Sequence, residues 1–312
     1  SSKETYVHRI SKFGATAISG AKEYFEVLEK GGVTLFPSKR AEKISADFKL
    51  IEKENDVTIE IDSELFDEVV AINENPTALL GSFDEAFLRL PPEVIITSMK
   101  EHQRYFPVFK DGKLINKFVV VSNALTDDFS KVIAGNETVL RPRLEDGLFF
   151  WDNDLKNGLS TKGLEKVTFF KGLGTVADKI EREGKIASTL FDKFEVDADK
   201  ADLTRAVEIA KADLMSEMVY EFTELQGVMG YYYALEMGKN PAIAIAIKEQ
   251  YMPLGEDSEL PTSDTGALMS LATKLDTLLG LFSVGKIPTG SKDPFALRRM
   301  ASGIIKIIID RD

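Results

Sequence analysis

Two arginines stand side by side in TGSKDPFALRRM, residues 289–300, of an otherwise acidic chain. Asp293-Pro294 reads as a helix start, because aspartate caps free backbone N–H groups and proline is tolerated where no donor is needed. Arg298 and Arg299 then fall one turn into a helix predicted over 293–309. On it Arg298, Ser302 and Lys306 recur every four residues, and Leu297, Ala301, Ile304, Ile305 and Ile308 form the apolar remainder. Such a cationic edge either neutralises carboxylates inside the fold or meets an anion brought by a partner. A second predicted helix, 200–229, carries Asp213, Glu217, Glu221 and Glu224 at spacings of four, four and three. Like charges so placed repel by a few tenths of a kcal/mol each, so the stripe calls for solvent, basic side chains or a metal. One of Arg298 and Arg299 is therefore expected to pair with Asp213, Glu217, Glu221 or Asp276, since a guanidinium holds a carboxylate bidentately and tolerates partial burial. The other, with Lys292 at the start of the helix, is left for a phosphate near the exposed N–H groups.

Lys100, Arg104, Arg141 and Arg143 form a second basic set around two turns, for which ion pairing with the many acids is the simplest reading. The only histidines are His8 and His102, and cysteine is absent, which removes disulfides, thiolate nucleophiles and Cys-type zinc sites. His102 reads as a histidine at a helix C-terminus, and Trp151, beside two phenylalanines, as core. GLGT, 172–175, is too short for a phosphate-loop fingerprint and reads as a helix N-terminal turn.

The elements that must position these residues divide the chain in two. With 312 residues and 44% hydrophobic content it can bury two cores, and 39 basic against 51 acidic side chains, a net charge of −12, leave nucleic-acid contact to local patches. Helices are predicted over 21–32, 38–55, 62–72 and 91–103. TALLGSF, RYFPVF and KFVVVSNA read as strands, the last two joined by the hairpin signal Asp111-Gly112. From Asp127 the strand signals fade. Helical spacing broken at Gly135 and Pro142 is followed by helices at 176–195, 200–229, 240–251, 264–282 and 293–309. An α+β domain over 1–158 and an all-α domain over 159–312, meeting near 155–165, are expected, with 254–266 as a mobile surface segment. The longest apolar run is too short to cross a bilayer, and SSKETYVHRI has neither an initiator Met nor a signal core, so the chain reads as soluble, intracellular and trimmed.

MKEHQRYFPVF, VSNA, AGNETVLRPRLEDGLFF, FFKGLGTVADKIER, KADLMSEMVYEFTELQGVMGYYYA, LATKLDTLLGLF and PTGSKDPFALRRMASGIIKII follow one another in this chain. In that order they resemble the beta subunit of the bacterial heterotetrameric glycyl-tRNA synthetase, most closely over 92–312. The resemblance implies a middle piece, lacking an N-terminal segment and the C-terminal anticodon-binding part. It further implies a first half similar to the editing-type domain of the phenylalanyl-tRNA synthetase beta subunit, and an HD-type helical second half. ATP, magnesium and glycine would then belong to the alpha subunit. This chain would carry no cofactor and no catalytic residue, would contact glycine tRNA and the alpha subunit, and would reside in the cytoplasm without touching membrane. Lys292, Arg298, Arg299, Lys100, Arg104, Arg141 and Arg143 are the nucleic-acid-binding candidates. HD phosphohydrolases hold metal through histidines and aspartates. Here the His-Asp position is Ala212-Asp213 and the later Asp falls at Thr273, leaving a degenerate site of Asp213 with Asp276 nearby and no metal expected. An HD-type phosphohydrolase is the alternative, opposed by the missing histidines, and editing by the first half rests on analogy of fold.

Overall fold

The computed structural model describes residues 3–11, 14–290 and 292–311. The outer limits of the predicted domains, residues 1 and 312, lie outside them. The chain forms two compact units, Ser1–Leu148 and Phe149–Asp312.

The first unit begins with a short pair, Glu4–Thr5 (β1) and Thr16–Ala17 (β2), and the helices Ala21–Lys30 (α1) and Pro37–Asn55 (α2). There follow Thr58–Ile59 (β3), Ser63–Ile72 (α3), Thr77–Ser82 (β4), Pro92–Gln103 (α4), Phe106–Lys110 (β5) and Lys113–Ser122 (β6). Strands β3, β5, β6 and β4 make one sheet in that order, antiparallel throughout. Asp111 and Gly112 both have positive φ, 51° and 73°, as a two-residue hairpin turn between β5 and β6 requires. Ile44 and Phe48 of α2 and Leu65, Val69 and Val70 of α3 pack with Ile59, Phe106, Val108 and Val119 of the sheet. Successive strand residues face opposite ways, so Phe118 leaves that core and stacks on Tyr105, ring centroids 4.6 Å apart. The hydroxyl of Tyr105 donates to Asn136 at 2.7 Å.

Asn136 lies on Ser130–Asn157 (α5), one continuous helix of 28 residues with Pro142 inside it. The predicted interruptions at Gly135 and Pro142 do not occur. Pro142 is exposed, while its neighbours Leu140 and Leu144 are completely buried and hold the helix through the missing hydrogen bond. Leu148 and Phe149 both belong to α5, so the division between the units falls inside a helix, earlier than the junction expected near 155–165.

Among its described residues the second unit is helical but for the small hairpin Thr168–Phe170 (β7) and Gly174–Thr175 (β8) and a single bridge between Thr289 and Lys292, which corrects the all-α expectation. Its helices are Val176–Lys193 (α6), Lys200–Ile209 (α7), Glu217–Glu221 (α8), Val228–Glu236 (α9), Pro241–Glu249 (α10), Asp264–Ser283 (α11) and Leu297–Arg311 (α12). The core joins Ala187 of α6, Leu203, Ala206 and Val207 of α7, Ile243 and Ile247 of α10, and Leu268, Met269 and Ala272 of α11. Trp151 is buried and stacks on Tyr233 at 5.2 Å.

The helix predicted over 200–229 is in fact α7, a turn at Ala212–Met215, α8, a turn at Thr223–Leu225, and the start of α9. Ser216 caps α8 by accepting from the Val219 N–H, and Gly227, with φ of 84°, turns the chain into α9. The acidic stripe therefore does not exist. Glu217, Glu221 and Glu224 are exposed, whereas Asp213 is completely buried.

Candidate functional site

The Thr175 side chain and Asp178 form a capping box that starts α6. One turn in, Lys179, Arg182 and Glu183 are spaced to lie along one side of the helix. They face α11, a helix buried over most of its length, so that its polar residues Ser270, Thr273, Lys274, Asp276 and Thr277 are interior. Lys179 donates to Asp276 Oδ2 at 2.9 Å and to the Thr277 hydroxyl at 2.7 Å. Arg182 donates to both oxygens of Asp276, at 2.6 and 3.2 Å, and to the Leu173 carbonyl. Glu183 lies 3.1 Å from Lys179 and 3.1 Å from Lys211. Lys211 also donates to Gln250 at 2.6 Å. Burial pushes the Asp276 carboxyl up, but the Arg182 hydrogen bonds and the Lys179 ammonium outweigh it and hold the group below its ordinary range.

Asp213 has a different role. Its Oδ2 accepts from the N–H groups of Gly227 and Gly230, capping α9 from a distance, while Oδ1 has no hydrogen-bond partner among the described residues. Burial raises this carboxyl to about 6, against the lowering effect of those two N–H groups. Asp154 works alike at the neighbouring helix, accepting from the N–H groups of Glu217 and Met218 and from the Tyr233 hydroxyl.

The donor set does not suit a metal ion. The Asp276 and Glu183 carboxylates already meet two ammonium groups and a guanidinium, a divalent cation would be repelled by all three, and Asp213 is committed to backbone donors. Among the described residues no group of three or more His, Asp or Glu is placed to hold one. Thr273, at the later position of the degenerate site, has a buried hydroxyl with no partner. The sequence reading singled out Asp213 and Asp276 but missed Lys179, Arg182, Glu183 and Lys211. The signal available was the opposite charges of Lys179 and Glu183 in KIERE, four residues apart.

The expected pairing of Arg298 or Arg299 with these carboxylates is not formed, because Lys179 and Arg182 have taken Asp276 and Asp213 faces α9. The helix also starts later than predicted. Asp293 does cap it, its two oxygens accepting from the N–H groups of Leu297 and Arg298 at 2.9 Å each, but Pro294 and Phe295 form a turn and Ala296 has φ of 54°. Arg298 and Arg299 are consequently the second and third residues of α12, both exposed, as is Lys292. The Arg298 N–H bond is the main influence holding the Asp293 carboxyl low, helped by the two guanidinium charges. Arg299 reaches the Leu254 carbonyl at 3.4 Å.

In the first unit Lys100 pairs with Glu60 at 2.8 Å and Arg104 with Glu68 at 2.5 Å. Arg104 has φ of 55° as the residue closing α4. Arg141 and Arg143 are exposed on α5, and among the described residues no carboxylate lies within ion-pair distance of either. No helix among the described residues is long and apolar enough to cross a membrane.

A sequence model of the family described as "Glycyl-tRNA synthetase beta subunit" matches residues 1–312. The chain is 53% identical to the glycine–tRNA ligase beta subunit of Helicobacter pylori (strain HPAG1) over 316 residues, covering 97% of this chain and 45% of that protein. It is 48% identical to the beta subunit of Streptococcus gordonii (strain Challis) over 297 residues, with coverages of 94% and 44%. The beta subunit of Streptococcus pneumoniae (strain 70585) is 47% identical, again over 94% of this chain and 44% of its own length. The chain thus spans less than half the length of these relatives. A match along its full length and identity near one residue in two place it in the glycyl-tRNA synthetase beta subunit family.

Proposed function

We propose that this chain is a tRNA-recognising and assembly part of glycine–tRNA ligase, with no aminoacylation site of its own. The observation that carries the reading is the family match over the full chain. ATP, magnesium and glycine are handled on the alpha subunit, which this chain supports, and the complex works in the cytoplasm. The first unit is the editing-type domain and the second the HD-type domain. An independent HD-type phosphohydrolase is the weaker reading, because lysines and an arginine already satisfy the carboxylates that a metal would need.

Glycine tRNA is met through phosphates rather than base edges, at exposed cations on an acidic body. Lys292, Arg298 and Arg299 cluster at the start of α12, whose first N–H groups are taken by Asp293, so the side-chain charges act alone there, and Arg141 and Arg143 lie on α5. Lys100 and Arg104 contribute only by exchanging a carboxylate for a phosphate. Filter binding of glycine tRNA and one unrelated tRNA, titrated against salt, tests this. Arg298→Ala and Arg299→Ala should each flatten the salt slope by about one unit, and Arg141→Ala/Arg143→Ala by about two. Binding without salt dependence, or slopes that none of these variants changes, refutes the assignment. Nucleotide hydrolysis abolished by Asp213→Ala would establish the phosphohydrolase instead.

A further inference from the structure

The stretch 250–254, helix α11 and the start of α12 line a cavity of about 240 Å3 that is open to solvent on one side. Its walls are apolar where Tyr251, Pro253 and Met300 form them, and polar at Lys274, Thr273 and Arg299. In a chain of net charge −12, none of the residues that line it is a carboxylate. Lys274 is 5% exposed, and its ammonium donates to the carbonyls of Tyr251 at 2.9 Å and Met252 at 2.7 Å and to the Ser270 hydroxyl at 3.0 Å. Its hydrogen bonds are met but its charge is not, since among the described residues no carboxylate lies within ion-pair distance. Burial lowers the ammonium to about 8, as an uncompensated interior cation requires. Arg299, by contrast, is exposed and spends one donor on a 3.4 Å contact with Leu254. Thr273 is 7% exposed, and its hydroxyl is buried without a partner.

We propose that this cavity binds a single phosphate-bearing nucleotide, its phosphate on Arg299 and its base against the apolar walls. A guanidinium with unspent donors suits a phosphate bidentately, and the unanswered charge of Lys274 favours an anion without touching it. The apolar walls suit an aromatic ring. Size limits the ligand to one nucleoside unit, since sites for larger molecules begin at about 300 Å3. The nucleotide comes either free from solution or as an unpaired residue of an RNA strand. This goes beyond the tRNA reading and does not rest on it, because a free mononucleotide would occupy the cavity even if the chain bound no tRNA.

Calorimetric titration of the chain with the four nucleoside 5′-monophosphates, inorganic phosphate and a single-stranded trinucleotide tests the proposal. At least one monophosphate should bind, at least tenfold more tightly than inorganic phosphate. Arg299→Ala should weaken it about tenfold, Met300→Trp should abolish it by filling the cavity, and Lys185→Ala on the exposed side of α6 should leave it unchanged. The filled variant must keep the parent melting temperature; otherwise Leu254→Trp replaces it. A trinucleotide that binds more tightly than any monophosphate identifies RNA as the source, and equal affinity identifies the free nucleotide. Binding that survives both filling variants, inorganic phosphate that binds as well as the nucleotides, or no binding of any probe at millimolar concentration overturns the proposal.

Discussion

Replacing Asp213 by Asn should make the second unit more stable relative to the parent as pH rises. The carboxyl moves from an ordinary 3.8 to about 6 because burial penalises the anion more than two backbone N–H groups favour it. At 1.36 kcal/mol per pH unit, holding the ionised group in the fold costs about 3 kcal/mol at pH 8. The sign follows from proton counts: between the unfolded and folded values the native state binds more protons, so ionisation takes stability away as pH rises and the loss is complete above about 6. Linkage places roughly half of it already at pH 5, leaving a change of about 1.4 kcal/mol between pH 5 and pH 8. Asn keeps an oxygen for Gly227 and Gly230 but turns a donor toward the place where Oδ1 has no partner, at a fixed cost of about 1–3 kcal/mol. That cost does not vary with pH, so the slope of the difference isolates the carboxylate. The chain has one tryptophan, Trp151, and it is buried against Tyr233 in the same unit, so urea unfolding followed by its fluorescence reports on the right part of the molecule. A parent-minus-variant stability that is flat from pH 5 to pH 8, or that grows with pH, refutes the argument.

Asp276→Asn should act in the opposite sense. It strands Lys179 and Arg182, and a loss of about 3 kcal/mol is expected at neutral pH, the lower end for a broken buried pair because Arg182 is partly exposed. With its folded value depressed, the parent's advantage is present above the unfolded carboxylate range and is lost as pH falls through the folded value, so denaturation at acid pH should bring the two proteins together. Pro142→Ala should stabilise α5 by about 1–2 kcal/mol, the recovered hydrogen bond exceeding the entropy returned to the unfolded chain, and a calorimetric melting temperature that fails to rise would count against a strained helix there.

Where local chemistry decides the structure, the sequence could be read. Asp62, whose side chain accepts from the N–H groups of Glu64 and Leu65, starts α3 within the helix expected over 62–72, and Asp111-Gly112 makes the turn it signals. The failures lie where packing overrides local preference. Pro142 argues for a break, but two completely buried leucines hold the helix across it. Over 200–229 the spacing of apolar residues continues through Ser216 and Gly227, which break the helix locally, and the distant caps from Asp154 and Asp213 secure the pieces. The candidate site suffered similarly. A buried lysine is spelled like an exposed one, so nothing set Lys179 and Lys211 apart, and of the acids matched to the arginines Asp276 is held by α6 and Asp213 by the N–H groups of α9.

Helix α12 is fastened to the segment before α11, expected as a mobile stretch, in an unusual manner. Arg299, Lys306 and Arg311 donate to the main-chain oxygens of Leu254, Glu256 and Pro261. Among the described residues, Arg311 alone of the three adds side-chain partners, Asp264 and Asp310. Every residue carries a carbonyl, so Leu254, Glu256 and Pro261 can be exchanged without removing an acceptor. Natural variation between relatives should therefore fall on the segment and spare the three cations. Substitutions accumulated along 254–261 would leave the helix in place, whereas a single neutral residue at 306 would release part of it.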